Sequence, residues 1–316
     1  MKAVLINEYG PGTVMSIEEV DRPTAEGKLV LVEVYASSVN PIDWKIRNGE
    51  MEARYGQGFP KILGCDLSGK VLEVGPEVTK YKPGEAVFSR SDQIPGKTYA
   101  EFAVIGEDAL ARKPRSISHM EAAAMPLATI TAYQGLKYCG QIQTNDRILI
   151  IGASGGVGTY AIQLAKSMGA HVTAVCSGTN ADLVKELGAD EVIDYTCQDV
   201  FVPGTTYDAV YDVVGSYSLE KARNSLTPKG VYMTLVPTDS DIEFFIHGKT
   251  ERQNGHGYFV ICTPDGKDLE EIANLSEAGS LRTVIDSVFP LDEIVAAHER
   301  SETLRARGKI VLRVKG

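Results

Sequence analysis

The sequence predicts an α/β protein in which a doubly wound parallel sheet is joined to a smaller β-rich domain, and three features carry that expectation. Residues 1–118 are rich in Val, Gly and Pro and break into short apolar runs separated by turn signals. From 119 onward strand-like and helix-like segments alternate, the rhythm of a parallel sheet wrapped by helices on both faces. At 147–158 an apolar strand is delivered into a glycine turn that opens a helix.

In the first part, Val30–Val34, Gly69–Val74 and Ala86–Phe88 read as strands, punctuated by Gly10-Pro11-Gly12, Gly75-Pro76 and Lys82-Pro83-Gly84. Ser118-His119-Met120-Glu121 is a capping box, and the alanine-rich run behind it predicts a helix reaching Lys137. Strands follow at Arg147–Ile151, His171–Cys176, Glu191–Asp194, Ala209–Asp212, Val231–Val236 and Tyr258–Cys262, with helices at Gly156–Met168, Ala181–Leu187 and Leu219–Ser225. After a helix over Lys267–Ala278 come a strand at Arg282–Phe289, a helix at Leu291–Arg300 and a strand at Lys309–Val314. Lone strands do not stand unpaired, so this tail is expected to return to the first domain. The expected domains are thus 1–118 completed by 262–316, and 119–261.

Composition bounds the function. The chain has 316 residues, 43% of them hydrophobic and 23% charged, which excludes disorder and favours two cores. A net charge of −10 argues against nucleic acid or an anionic membrane surface as principal partner. The five cysteines, Cys65, Cys139, Cys176, Cys197 and Cys262, form no CxxC pair and fit a reducing, cytoplasmic setting. Strand-like alternation begins at Ala3, so neither a signal peptide nor an apolar run of spanning length is expected.

The strongest chemical signal is Ile151-Gly152-Ala153-Ser154-Gly155-Gly156-Val157-Gly158. Gly155 and Gly156 clear the approach of a pyrophosphate, Gly158 allows close helix-to-strand packing, and Ser154 to Val157 open the helix with unpaired N–H groups. This is a Rossmann-type dinucleotide turn, although Ala153 stands where the strict GxGxxG pattern has its first glycine. The next strand ends in Cys176-Ser177-Gly178-Thr179-Asn180, with no acid to meet free ribose hydroxyls. Ser177, Asn180 and the Tyr195 hydroxyl are donors suited to a 2′-phosphate, with Lys185 a turn further on, which favours NADPH. Ser177 to Asn180 equally serve as caps for the following helix.

Five segments, Ser38-Val39-Asn40-Pro41-Ile42-Asp43-Trp44-Lys45, Gly64-Cys65-Asp66-Leu67-Ser68-Gly69, Ala153 to Gly158, Leu187-Gly188-Ala189-Asp190 and Gly308-Lys309-Ile310-Val311, together resemble the medium-chain dehydrogenase/reductase superfamily along essentially the whole chain. Within it the sequence is similar to the zinc-free quinone oxidoreductase and alkenal/enone reductase branch. The resemblance implies a GroES-like catalytic domain with an inserted Rossmann domain, and a substrate that is a quinone or an α,β-unsaturated carbonyl. Zinc-dependent relatives hold their metal with a Cys-His pair, a Gly-His-Glu segment and a later cysteine. Here the corresponding places hold Asn40-Pro41, Gly64-Cys65-Asp66 and Met125-Pro126-Leu127, too few ligands for a catalytic zinc, so no metal is expected. His119, His171, His247, His256 and His298 are widely separated.

By the same resemblance Asn40, Lys45 and Tyr133 are candidates for orienting the acceptor or supplying a proton, and Thr131 is expected to meet the cofactor, as is Val214, which follows a strand end at the expected cleft edge. Each has a plainer alternative: a turn residue, a solvated lysine, a packed helix residue and, for Thr131, a back-bonded helix hydroxyl. Lys45 also departs from the tyrosine many quinone oxidoreductases place there. Trp44 either stacks on a flat acceptor or anchors the small domain. Residues 237–257 are a candidate cleft-edge loop. The apolar strand Tyr258–Cys262, if at the sheet edge, suits a homodimer. The alternatives to an NADPH-dependent reductase are a non-catalytic NADPH-binding protein and a zinc-type alcohol dehydrogenase.

Overall fold

The computed structural model describes residues 1–56, 58–93, 95–236, 252–253 and 256–315. The chain divides into two compact units, Met1–Ile130 with Pro264–Gly316, and Thr131–Thr263.

The first unit is built around the strand Leu29–Val39, whose alternating valines Val30, Val32 and Val34 are buried with Leu67, Val71, Val87, Ile105 and Leu110. β-branched side chains at every second position suit a pleated, one-face-buried strand. It pairs antiparallel with Asp66–Val74, with Phe102–Gly106 and, through the returning tail, with Lys309–Arg313. Ile285–Pro290 then adds in parallel to Lys309–Arg313. A separate three-stranded sheet joins Met15–Glu19, Lys2–Ile6 and Lys61–Ile62.

The capping box at Ser118 forms: the Glu121 N–H donates to the Ser118 hydroxyl at 3.2 Å, and the Ser118 N–H to the Glu121 carboxylate at 2.8 Å. The helix it opens is short, His119–Ala123, and its small side chain Ala123, with the adjoining Ala124, packs on Ala36 and Val311. This helix therefore belongs to the first unit, which runs on to Ile130 instead of ending at 118. The single helix expected to reach Lys137 is interrupted, because Pro126 has no N–H to continue the ladder and starts a new helix, Pro126–Gln134. A π-helical turn, Gly135–Cys139, follows.

In the second unit the strand order is Glu191–Asp194, His171–Cys176, Arg147–Ile151, Tyr207–Asp212, Leu226–Thr234, Gly257–Phe259 and Arg252–Gln253, parallel except for the last. Central parallel strands are covered on both faces, and Ile148 to Ile151 are buried accordingly. Sequence order reverses beside Arg147–Ile151, which lies between His171–Cys176 and Tyr207–Asp212. In an open α/β sheet a ligand crevice forms at the carboxyl ends of strands flanking such a switch point.

One strand expectation is corrected. Gly257–Phe259 lies inside Arg252–Gln253, so Tyr258 is in a penultimate strand and not at the edge, and two residues are too few to show strand periodicity in a sequence. Residues 237–251 and 254–255, most of the candidate cleft-edge loop, lie outside the described residues.

Candidate functional site

The glycine turn sits at the switch point of the second unit. Gly152 has φ +79°, and a Cβ there would come within 2.7 Å of Val214. Gly152 thus supplies the left-handed turn one residue before the strict pattern places it, which is why Ala153 is tolerated; its N–H is bound by the Val175 carbonyl at 3.0 Å. At Gly158 an added Cβ would lie 2.3 Å from the Gly152 carbonyl oxygen, so helix Gly156–Ser167 packs directly on the strand end. At Gly155 the nearest atom is 3.4 Å away, leaving space above the first helical turn, whose N–H groups have no intrahelical acceptor.

Asp212, at the end of the neighbouring strand, is a residue the sequence reading missed. Its buried carboxylate accepts from the N–H groups of Val214 (3.2 Å), Gly215 (2.8 Å) and Tyr217 (2.8 Å), and from the Tyr232 hydroxyl (3.0 Å). It fixes the loop that presents Val214, which is exposed, against Gly152. Thr131 is buried, and its carbonyl accepts from the Tyr211 hydroxyl at 2.9 Å.

The polar turn after Cys176 is tied to the glycine turn. The Asn180 amide donates to Ser154 Oγ at 3.1 Å and to Ser177 Oγ at 3.2 Å, and Ser177 Oγ lies 3.1 Å from Thr179 Oγ1. Neither Ser177 nor Asn180 caps a helix through its side chain, so the capping alternative is not what these groups do. Tyr195 is exposed beside them, its N–H donating to the Cys176 carbonyl at 3.3 Å. An acid does stand nearby: a Cβ on Gly178 would be 2.4 Å from Asp194 Oδ2. The Thr196 hydroxyl and N–H, with the Gly178 N–H, hold the Asp194 carboxyl below its usual range. The signal for it was the parallel register that sets Asp194 beside Cys176.

The first unit contains a buried polar cluster. Leu29–Val39 delivers Asn40, and Pro41 at the first helical position turns the chain into helix Pro41–Arg47. Gly64 (φ +94°) brings Asp66 alongside Ser38, and Lys309 enters through the pairing of Ile310 with Val39. The Asp66 carboxylate accepts from Ser38 Oγ at 2.7 Å, Asn40 Nδ2 at 2.9 Å and the Leu127 N–H at 2.8 Å, with Lys309 Nζ at 3.6 Å. Lys309 Nζ also donates to Asn40 Oδ1. Asp43 accepts from the Asn40 N–H (2.8 Å), the Tyr99 hydroxyl (2.8 Å) and the Cys65 thiol (3.4 Å). Burial raises Asp43 to about 6 against those donors, and burial lowers Lys309 against the pull of Asp66.

Asn40 is therefore in the cluster and Lys45 is outside it, its ammonium 5.7 Å from the centroid of the Trp44 ring. Trp44 donates its indole N–H to Ser301 Oγ at 3.2 Å, which ties it to helix Ile294–Glu302 as an anchor. Tyr133, in the second unit, is buried and accepts from Lys137 Nζ at 2.5 Å. Among the described residues no group of three or more His, Cys, Asp or Glu side chains is arranged to hold a metal ion. The adjacent donors Cys65 and Asp66 are engaged with Asp43 and with the Lys309–Asn40–Ser38 set.

A glycine turn at the switch point of a parallel sheet in one unit, and a buried polar cluster in a β-rich other, fit a nicotinamide-dependent oxidoreductase of two-unit architecture, the class to which the relatives belong. Residues 26–115 match the alcohol dehydrogenase GroES-like domain and residues 187–312 the zinc-binding dehydrogenase family. The chain is 35% identical to a chloroplast envelope quinone oxidoreductase homolog of Arabidopsis thaliana, over 99% of this chain and 98% of that protein. It is 34% identical to the mouse mitochondrial NAD(P)H oxidoreductase RTN4IP1, over 99% of this chain and 89% of that one. Among solved structures, the quinone oxidoreductase from Coxiella burnetii superposes with a TM-score of 0.89 at 31% identity, covering 100% and 99% of the two chains. The chain belongs to the medium-chain dehydrogenase/reductase superfamily, in its quinone oxidoreductase branch.

Proposed function

We propose that this protein is an NADPH-dependent reductase that delivers hydride to a quinone, or to the C=C bond of an α,β-unsaturated carbonyl, without a metal. The observation that carries the metal-free part is the donor set: an ammonium, Lys309, lies 3.6 Å from Asp66, where a zinc ion would need a free ligand. The residues do not fit a catalytic zinc. An acceptor that is already electrophilic needs no Lewis acid, since holding two reactants in register removes roughly 7–11 kcal/mol of barrier.

In this scheme the first unit takes the acceptor and the second takes the cofactor, which when bound supplies a hydride from its nicotinamide ring. The N–H groups of Ser154, Gly156 and Val157 receive the pyrophosphate, while Gly155, whose N–H is taken by the Gly152 carbonyl at 3.1 Å, contributes the space that a side chain would fill. The Ser177 and Tyr195 hydroxyls donate to the 2′-phosphate, and Asn180, whose amide is spent on Ser154 and Ser177, holds that turn in place, whereas Asp194 opposes the phosphate, so the preference for NADPH over NADH is finite. Thr131 and Val214 border the nicotinamide. Asn40 donates to the acceptor oxygen; Lys45, Tyr133 and water are the candidate proton sources. The homodimer loses its expected edge strand, since Tyr258 lies inside Arg252–Gln253, and it stays only a proposal that a monomeric mass by light scattering at micromolar concentration would remove.

The test follows the absorbance of reduced nicotinamide with benzoquinone and with methyl vinyl ketone, in the presence of a chelator. Turnover with NADPH exceeding that with NADH is expected. Tight NADPH binding with no turnover on either acceptor makes the chain a non-catalytic binding protein, and activity lost on chelation makes it a zinc-type alcohol dehydrogenase.

A further inference from the structure

Within the buried cluster of the first unit, the Asn40 carboxamide is the group with hydrogen-bonding capacity left over. A carboxamide has one acceptor oxygen and two N–H donors. Asn40 Oδ1 accepts from Lys309 Nζ, and one Nδ2 hydrogen goes to Asp66 Oδ2 at 2.9 Å. The other N–H has no partner among the described residues.

The two neighbours leave the amide one orientation. An ammonium has only donors and an ionised carboxylate only acceptors, so a flipped Asn40 would set its N–H groups against Lys309 and its oxygen against Asp66. Both neighbours are themselves fixed: Asp66 by Ser38 and the Leu127 N–H, at 2.7 and 2.8 Å, and Lys309 by the pairing of Ile310 with Val39. Lys309 is 4% exposed and Asp66 0%, and charge pairs so buried contribute little stability that apolar residues of the same volume would not. Stability alone does not account for the pair.

We propose that Lys309 and Asp66 are positioning residues, which lock the Asn40 carboxamide so that its remaining N–H donates to the carbonyl oxygen of the acceptor. The inference deepens the reductase proposal and rests on it. As the hydride's electron pair forms the new C–H bond at the β-carbon, the C=C pair shifts toward the carbonyl and negative charge gathers on its oxygen. Water then protonates the product, and oxidation of NADPH to NADP⁺ balances the two electrons. A donor fixed before the charge develops needs no reorganisation at that moment, the condition under which such donors act most strongly.

The test compares Lys309→Met and Asp66→Asn with the unaltered protein, each alone and combined with Asn40→Ala, on methyl vinyl ketone and NADPH. Each single variant should lower kcat by about 10- to 100-fold, less than the roughly 100- to 1000-fold of an oxyanion donor removed outright, because Asn40 itself is still present. KM for the enone should move less than kcat, and the NADPH dissociation constant should hold. In the Asn40→Ala background neither substitution should lower kcat further, because both act through that side chain. Lys309→Arg, which keeps a cation and its donors, should restore most of kcat. If Lys309→Met does not fold, Asp66→Asn carries the same comparison. Losses that multiply in the Asn40→Ala background, or variants that lose only thermal stability, overturn the inference. An unaltered protein inactive on every acceptor instead overturns the reductase proposal itself.

Discussion

Gly155 and Gly158 stand three residues apart in one turn, yet the structure assigns them different duties, and alanine at each should fail differently. At Gly155 the backbone is extended (φ −82°, ψ 179°), accessible to any residue, and the nearest atom to an added Cβ is 3.4 Å away. Alanine is a poorer N-cap than glycine by about 0.5–1 kcal/mol, and it lowers the entropy of the unfolded chain by about 0.4–1 kcal/mol. Folding stability should therefore stay within about 0.5 kcal/mol of the parent. The methyl group occupies the space left for pyrophosphate, so NADPH should bind at least about tenfold more weakly, about 1.4 kcal/mol. At Gly158 the Cβ would lie 2.3 Å from the Gly152 oxygen and 2.7 Å from Ala153 Cα, both backbone, so the helix must move off the strand. Overpacking of that kind costs about 1–3 kcal/mol, offset by about 1 kcal/mol of helix propensity. Thermal melts should show the loss for Gly158→Ala alone, and titration of NADPH against protein fluorescence should show weakening for both. Unchanged NADPH affinity in Gly155→Ala would mean that the pyrophosphate does not lie over this turn.

Three further outcomes are expected. Ser177→Asp should lower the ratio of kcat/KM for NADPH over NADH by about tenfold, and Asp194→Asn should raise it; shifts in the same direction would misplace the 2′-phosphate. His298 is buried and accepts from Arg47 at 3.1 Å; burial, with the Arg47 charge, lowers its pKa from 6.5 to about 3. The unfolded state then binds the extra proton between those values, so stability rises with pH from about 3 to 6.5, by up to about 4–5 kcal/mol. Asp43, raised to about 6, acts with opposite sign, favouring the folded protein at low pH and losing that contribution as pH rises through about 6. Denaturant titrations of His298→Gln should lack the acid-side slope that the parent shows; parallel curves would contradict the burial effect. Finally, Trp44→Ala should lower thermal stability and reduce kcat/KM on benzoquinone and methyl vinyl ketone alike, as fits an anchor bound to Ser301; a loss confined to the planar quinone would return Trp44 to the acceptor site.

The strands of the Rossmann-type unit were legible because central parallel strands are short continuous apolar runs bounded by glycine and polar turns. Arg147–Ile151, His171–Cys176 and Glu191–Asp194 have the bounds their composition suggests. The alanine-rich stretch after Ser118 was misread as one helix because its apolar composition masks the break that Pro126 imposes. What stayed hidden are juxtapositions made by sheet register. Lys309 meets Asn40 across 269 residues, and Asp194 meets Gly178 because parallel strands end side by side. Asp212 reads in the sequence as an ordinary strand-end acid, and only the folded loop shows its carboxylate collecting three N–H groups.

Tracing the hydride shows whether this protein delivers it, without a metal, to an activated carbon. Methyl vinyl ketone is incubated with the chelator-treated protein and NADPH deuterated at the transferring position of its nicotinamide, and the product is read by NMR. A saturated ketone carrying deuterium at the former β-carbon is expected. Deuterium at the carbonyl carbon of an allylic alcohol, or no transfer to carbon at all, would contradict it.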